Sequence, residues 1–147
     1  MTASGKEEQL RRLIYELQLM QGSAEVLQQR LEQLRTAMAD LRVAESSLKG
    51  LKELEAGTPI LVPMGGGSFV NAGLGDLSKV IVGVGADVSI EMDLDGAIED
   101  VASRIAEVEG AGQSVQQQLG QILGQIQIHQ DAISRLSAEL RGEAAGV

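Results

Sequence analysis

The chain has 147 residues, a net charge of −9 and no cysteine, and Tyr15 and Phe69 are its only aromatic residues. The negative charge argues against nucleic-acid binding, because phosphate contacts need clustered Lys and Arg side chains. The lack of cysteine excludes disulfides and thiolate metal sites. Aromatic side chains normally supply much of the buried area of a compact domain. We therefore expect a thin, elongated core of aliphatic residues.

The first predicted element is a long helix over residues 5–56. Ser4 and Glu7 have the Ser-x-x-Glu spacing of a capping box, which predicts the start of the helix. The glycine and proline of Gly57-Thr58-Pro59 predict its end. Apolar residues recur at alternating steps of three and four, the pattern of a coiled-coil seam. They are Leu10, Leu13, Leu17, Met20, Ala24, Leu27, Leu31, Leu34, Met38 and Leu41.

The next segment, residues 57–93, is glycine-rich and β-branched. Gly65-Gly66-Gly67 and Gly85-Ala86-Asp87 each lie between two short apolar runs, a pattern that predicts two β-hairpins. Isolated hairpins are marginally stable in water, and their open edges need further strands. We therefore interpret this segment as an oligomerisation site.

The second predicted helix covers residues 94–141, with Asp93 as its N-terminal cap. Its seam has the same alternation, and only Gly112 and His129 depart from the apolar rule. Its members are Leu94, Ile98, Val101, Ile105, Val108, Gly112, Val115, Leu119, Ile122, Ile126, His129, Ile133, Leu136 and Leu140. Residues 142–147 are predicted to be a flexible tail.

Two helices of similar length joined by a short insert are expected to fold back on each other as an antiparallel coiled coil. Residue i would then lie near residue 150 − i, which places Leu10 near Leu140. Ile14 and Tyr15 widen the apolar stripe at the end of the coiled coil that is farthest from the strands. Exposed apolar patches usually mark binding sites, so this end is a candidate for binding other proteins.

Other motifs favour structural roles. Gly83-Val84-Gly85 lacks the third glycine and the following helix of a dinucleotide fingerprint. Glu91, Asp93, Asp95 and Gly96 imitate the start of a calcium loop, but the closing glutamate position is Ala102. His129 is the only histidine, with no second histidine or cysteine to complete a metal site, and is interpreted as a polar seam residue that sets register or loosens the coil. We expect no catalytic residue, metal or cofactor.

The strand segment resembles that of the prefoldin alpha subunit family. The similarity lies in Gly57-Thr58-Pro59-Ile60-Leu61-Val62-Pro63, in Gly67-Ser68-Phe69-Val70, and in Lys79-Val80-Ile81-Val82-Gly83-Val84-Gly85-Ala86-Asp87-Val88-Ser89-Ile90-Glu91-Met92-Asp93, leading into Ala97-Ile98. In architecture the resemblance extends from about residue 7 to residue 141, and the chain is expected to form a single prefoldin-like domain, residues 1–147. An insert long enough for two hairpins favours the alpha class over the beta class.

The resemblance implies an ATP-independent holdase. Two alpha and four beta subunits would join their strands into a β-barrel, and the coiled-coil ends would bind unfolded client proteins and pass them to a group II chaperonin. The residues expected to contact clients are Leu10, Leu13, Ile14, Tyr15, Leu17, Ile133, Leu136 and Leu140. The residues expected to mediate assembly are Ile60, Val62, Phe69, Val80, Val82, Val88 and Ile90.

The alternative from another functional class is a structural coiled-coil scaffold whose strands serve only for oligomerisation. No run approaches 18 consecutive apolar residues, so we expect neither a membrane-spanning helix nor membrane binding. The N-terminus is polar and lacks the features of a secretory signal. A cytoplasmic location is therefore expected.

Overall fold

The computed structural model describes residues 2–146, the side chain of residue 145 excepted. Along the chain, four short strands lie between two long helices. The elements are α1 (Ala3–Leu51), β1 (Pro59–Gly65), β2 (Ser68–Gly73), β3 (Lys79–Gly85), β4 (Val88–Asp93) and α2 (Leu94–Ala145). The predicted class, mostly α with two small β-hairpins, is confirmed.

The chain divides into two compact units. The terminal unit consists of Met1–Arg35 and Gly110–Val147 and contains the first part of α1 and the last part of α2. The strand unit, Thr36–Glu109, contains the remaining helical segments and all four strands. Each unit has its own set of contacts between the two helices.

Helix α1 is capped by Thr2, and the predicted capping box at Ser4 is wrong. The Thr2 hydroxyl accepts the N–H of Gly5 at 3.0 Å, and its carbonyl accepts the N–H of Lys6 at 2.9 Å. Both residue types suit this role, so the choice depends on where the chain turns. The helix ends at Leu51, before the predicted position, and the Thr58 hydroxyl then closes a separate turn with the N–H and carbonyl of Glu55.

Helix α2 begins as predicted, with Asp93 as its cap. Oδ1 of Asp93 accepts the N–H of Gly96 at 2.6 Å. A Cβ at position 96 would lie only 2.6 Å from that oxygen, so the absence of a side chain leaves room for this close contact. The helix continues through Gly142 to Ala145. The flexibility predicted for residues 142–147 stays a prediction, and residue 147 lies outside the described residues.

The two helices run antiparallel within each unit. In the terminal unit, Lys6 forms ion pairs with Glu139 and Glu143, and Glu16 contacts His129. Partner numbers in α2 thus fall as those in α1 rise, close to the predicted 150 − i. In the strand unit, Arg42 pairs with Glu109 at 2.9 Å and Lys52 with Asp95 at 2.6 Å, in the same order.

The predicted seam residues line the covered side of both helices. All of them are buried or half-buried, whereas most of their helical neighbours are exposed. The buried aliphatic side chains of the helices are Ala24, Leu31, Ala97, Val101, Ile105, Val115, Ile126 and Leu136. The core is therefore a narrow aliphatic stripe, as the composition predicted.

The strands form two separate two-stranded antiparallel sheets, β1–β2 and β3–β4. Each hairpin shifts its register just before the turn, between Pro63 and Gly65 and between Gly83 and Gly85. In the first turn the central positions, Gly66 and Gly67, both have positive φ, the pattern of a type I′ hairpin turn. The second turn has the same construction.

Candidate binding surfaces

The β1–β2 hairpin is apolar on both faces. Val62 pairs with Val70, and Pro63 pairs with Phe69. Neighbouring positions along a strand point to opposite faces, so Val62 and Phe69 lie on different sides of the sheet. Phe69 is 59% exposed, and Val62 and Val70 are also exposed. Of the predicted assembly residues in this hairpin, only Ile60 is half-buried.

The β3–β4 hairpin is partly held by α2. Nη1 of Arg104 donates a hydrogen bond to the Gly83 carbonyl at 2.8 Å, and its Nε lies 2.9 Å from Oδ2 of Asp100. Val82, next to Gly83, is buried. Val80 is half-buried, so the first two assembly residues of this hairpin are already covered within the chain.

The remaining predicted assembly residues of this hairpin, Val88 and Ile90, are exposed. Sequence analysis did not select Ile81, which is the most exposed large apolar side chain of the described residues at 79%. Leu61 and Met64 are also exposed, and sequence analysis did not select them either. The sequence did contain an indication that these three residues belong to the assembly surface. The apolar runs of β1 and β3 are nearly continuous, and such runs are typical of strands that are covered on both faces.

The predicted client contacts lie in the terminal unit and differ in exposure. Ile14 and Tyr15 are exposed, with Tyr15 at 61%. The other predicted client contacts are seam residues. Leu136 is buried, with 9% of its surface exposed, and the remaining five are half-buried: Leu10, Leu13, Leu17, Ile133 and Leu140. The structure therefore brings the two sets of seam residues to the same unit but leaves only Ile14 and Tyr15 freely accessible.

A second apolar stripe on α1 was not selected from the sequence. Tyr15, Leu19 and Val26 are exposed and recur at helical spacing, so they share one face. A shallow cleft of about 600 Å³ lies on this face, lined by Leu19, Gly22, Ser23, Val26 and Leu27. Gly22 has no neighbouring atom within 4 Å of a hypothetical Cβ. This stripe could have been found from the sequence, because its apolar residues lie outside the three-four alternation of the seam.

Charged pairs hold the helices of the terminal unit at their ends. Lys6 bonds Glu143 and lies 3.8 Å from Glu139. The hydrogen bond to Glu143 raises the pKa of Lys6 above its ordinary value, and the negative charges of both glutamates add to the effect. Two of the acidic side chains of α2 therefore pair with a lysine of α1.

His129 contacts charged and polar groups on both helices. Its Nε2 lies 2.8 Å from Oε2 of Glu16 on α1, and its Nδ1 lies 3.2 Å from the Gln125 carbonyl on α2. The other oxygen of Glu16 lies 3.7 Å from Nε of Arg12. The polar residue that interrupts the seam is therefore an interhelical contact.

The segment between the hairpins contains one further perturbed group. The backbone N–H of Ser78 donates to Oδ1 of Asp76 at 2.9 Å. This bond, with a contribution from the Ser78 hydroxyl and from Lys79, lowers the pKa of Asp76 below its ordinary value. The carboxylate thereby fixes the turn that leads into β3.

Within residues 2–146, acidic and histidine side chains nowhere gather in a group of three or more that could hold a metal ion. Over the same residues, neither helix contains a stretch apolar and long enough to cross a membrane.

Comparison with known proteins identifies the family. The sequence profile of the family described as prefoldin subunit matches residues 20–139. The prefoldin subunit alpha of Pyrococcus horikoshii is 36% identical over 123 residues, which cover 83% of this chain and 82% of that protein. The prefoldin subunit alpha of Methanopyrus kandleri is 36% identical over 113 residues, covering 77% and 72%. That of Thermococcus onnurineus is 41% identical over 103 residues, covering 69% and 70%.

The chain belongs to the prefoldin family. The matched range contains both hairpins and most of both helices, so the resemblance seen in the strand segment extends over the larger part of the chain. Membership of the prefoldin family favours the chaperone interpretation over that of a structural scaffold.

A solved prefoldin structure supports the fold. A chain from the cryo-EM structure of filamentous prefoldin from Methanocaldococcus jannaschii superposes with a TM-score of 0.64 and 24% sequence identity. The superposition covers 85% of this chain and 98% of that one. The arrangement of two helices and two hairpins is thus that of a prefoldin subunit.

Proposed function

We propose that this chain is the alpha-type subunit of an ATP-independent prefoldin chaperone, a holdase that binds unfolded proteins and passes them to a group II chaperonin. The observation that carries the proposal is the coexistence, in one prefoldin chain, of two apolar two-stranded sheets and an exposed apolar face on the terminal unit. The first feature suits assembly, and the second suits binding of apolar segments.

Assembly is supported by the open edges and faces of the hairpins. Each sheet of the described chain has only two strands, so each strand offers one unpaired edge. Phe69, Val88 and Ile90 expose apolar surface that other subunits would cover. We propose that two such chains and four beta-type prefoldin subunits join their strands into a β-barrel. The barrel would bury the faces that a single chain leaves in water.

The assembly proposal is tested by replacing Leu61 and Phe69, which lie on the same face of β1–β2, with serine. Native mass spectrometry of the chain mixed with a beta-type subunit is expected to show loss of the hexamer. The matched control is Val43→Ser, because Val43 is an exposed apolar residue of α1 in the same unit. A hexamer that forms equally well with the double variant would contradict the proposal.

Client binding is proposed to begin at the exposed side chains and to extend to the seam. Ile14, Tyr15 and Leu19 are accessible as the chain stands. Leu13 and Leu136 would become available only where the helices separate. Shallow apolar contacts of this kind are individually weak, but several subunits in one oligomer raise the overall affinity through effective concentration.

The client proposal is tested by the aggregation of the insulin B chain after reduction with dithiothreitol. Because this chain has no cysteine, the reductant leaves it unchanged. Removal of residues 1–17 and 133–147 is expected to abolish suppression of aggregation while the oligomer persists. The finer variant is Tyr15→Ser with Leu19→Ser, compared with Val43→Ser. Full suppression by the truncated oligomer would favour the scaffold interpretation.

Transfer to a group II chaperonin, the absence of catalysis and a cytoplasmic location remain predictions. Transfer would be measured by the loss of a fluorescently labelled client from the oligomer when chaperonin is added. The client is expected to leave faster in the presence of chaperonin than in its absence. An unchanged rate would count against the transfer step alone.

A further inference from the structure

His129 faces acceptors on both of its ring nitrogens. Nδ1 lies 3.2 Å from the backbone carbonyl of Gln125, and Nε2 lies 2.8 Å from Oε2 of Glu16. A carbonyl and a carboxylate can only accept hydrogen bonds. A neutral imidazole has one N–H and one lone pair, so it can satisfy only one of these two partners. The imidazolium, which donates from both nitrogens, satisfies both.

The surroundings of His129 retain the negative charge that this contact needs. Arg12, on α1, lies against the other oxygen of Glu16. On α2, the carboxylate of Asp131 accepts a hydrogen bond from the Gln127 amide at 3.0 Å. His129 is part-buried, so its contact with Glu16 is less screened by water than a contact on the open surface.

We propose that His129 and Glu16 form a proton-dependent latch between α1 and α2. When the imidazole carries both protons, Nε2 makes a charge-assisted bond to Glu16 across the helices, and Nδ1 can donate to Gln125 on its own helix. When it loses one proton, the bond to Glu16 loses either its positive charge or, if the remaining proton is on Nδ1, its donor, so the helices separate more readily here.

The latch lies among the proposed client contacts, and this extension rests on the function proposed above. Leu13 and Leu17 flank Glu16 in the seam of α1, and Ile133 follows His129 in the seam of α2. These side chains are half-buried when the helices are paired. Opening the latch would expose them, so binding of unfolded protein is expected to strengthen as the pH rises.

The latch is tested by hydrogen exchange of the full-length chain in the oligomer that it forms. Protection factors for residues 126–140, corrected for intrinsic exchange rates, are compared at about pH 6 and about pH 8. Protection is expected to fall on the order of fivefold at the higher pH, since a part-exposed, charge-assisted hydrogen bond contributes at the lower end of its range. Equal protection at both pH values would overturn the latch.

Two variants separate the latch from general effects of charge. In Glu16→Gln, the amide can donate to a neutral imidazole or accept from a protonated one, so protection should not change with pH. His129→Leu places an ordinary apolar residue in the seam and should likewise remove the pH dependence. The control is Glu25→Gln, an exposed position of α1 in the same unit, which should retain the fall seen in the unmodified chain. A fall of the same size in Glu16→Gln would also contradict the proposal.

The link to clients is tested separately with fluorescently labelled lysozyme that has been reduced and carboxymethylated, a permanently unfolded protein. Its affinity, measured by anisotropy, is expected to be on the order of fivefold higher at about pH 8 than at about pH 6 for the unmodified chain, and equal at both for Glu16→Gln. If exchange changes as expected but lysozyme does not bind at either pH, the latch stands and the client-binding function is wrong. If lysozyme binds while exchange is independent of pH, the function stands and the latch is wrong.

Discussion

The guanidinium of Arg104 on α2 donates a hydrogen bond to the backbone carbonyl of Gly83 on β3, with 2.8 Å between Nη1 and the oxygen. The same guanidinium forms an ion pair with Asp100, one helical turn earlier. The arginine is thus oriented from its own helix while it holds the second hairpin. This contact gives β3–β4 a fixed attachment in the strand unit and accompanies the burial of Val82.

Replacing Arg104 with alanine is expected to loosen this attachment. Loss of a part-exposed charge-assisted hydrogen bond should lower the free energy of unfolding by about 1 kcal/mol. Urea unfolding followed by circular dichroism measures the change, and hydrogen exchange should show reduced protection in β3. The control is Arg135→Ala, on an exposed position of the same helix, which should change stability by less than about 0.5 kcal/mol. Equal effects of the two variants would argue against the attachment.

Replacing Asp93 with alanine is expected to weaken the start of α2. The carboxylate accepts the N–H of Gly96, and loss of such a cap lowers the free energy of unfolding by about 1 kcal/mol. Asp93→Asn should retain most of the stability, because asparagine caps helices about as well as aspartate. Asp40→Ala, in the exposed middle of α1, is the control for loss of one negative charge. Urea midpoints that fall equally for Asp93→Asn and Asp93→Ala would show that the charge, not the cap, matters.

Replacing Ala86 with glycine is expected to stabilise the chain. Ala86 has a φ of 51°, in the left-handed region, where a Cβ is strained by about 1 kcal/mol. Glycine removes that strain in the β3–β4 turn, and part of the gain is offset by the greater flexibility of the unfolded chain. Ala106→Gly in the exposed interior of α2 provides a control of opposite sign, with an expected loss of about 1 kcal/mol. Thermal unfolding of the two variants should shift in opposite directions.

The ion pairs of Lys6 are expected to stabilise the helix ends up to alkaline pH. Its pKa in the folded chain is raised, chiefly by the hydrogen bond to Glu143. The contribution is therefore fully present below the ordinary lysine pKa and is lost as the pH rises through the raised value. Hydrogen exchange near residues 136–144 should differ between the unmodified chain and Lys6→Met at neutral pH, and the difference should disappear in strong alkali. Lys6→Arg, which stays charged over this range, should preserve the protection; its loss in Lys6→Arg would point to a role other than charge.

Much of the helical part was predictable because its determinants are local and periodic. The seam residues of both helices, from Leu10 to Leu140, were identified from their three-four spacing, and all of them are buried or half-buried. The Asp93 cap was also recognised, since a cap needs only residues three positions apart. The Ser4 cap was wrong because Thr2 has the same chemistry two residues earlier, and only the backbone path distinguishes them.

The strand surfaces were less predictable. Val80, Val82 and Ile81 have similar side chains in adjacent positions, yet Val82 is buried and Ile81 is exposed. The alternation of strand faces predicts that they differ, but not which face is covered. Arg104, which contacts this hairpin at Gly83, lies 21 positions further along the chain. Distant contacts of this kind leave no periodic signal in a single sequence.

The sequence by itself determined an aliphatic coiled coil and two hairpins with glycine-rich turns. These features depend on residue spacing and on backbone preferences that act over a few positions. The tertiary structure alone decided that His129 meets Glu16, that Arg104 holds Gly83, and that Tyr15 and Leu19 remain in water. Each of these depends on which side of a helix or sheet faces another element, and that is settled only when all the elements pack together.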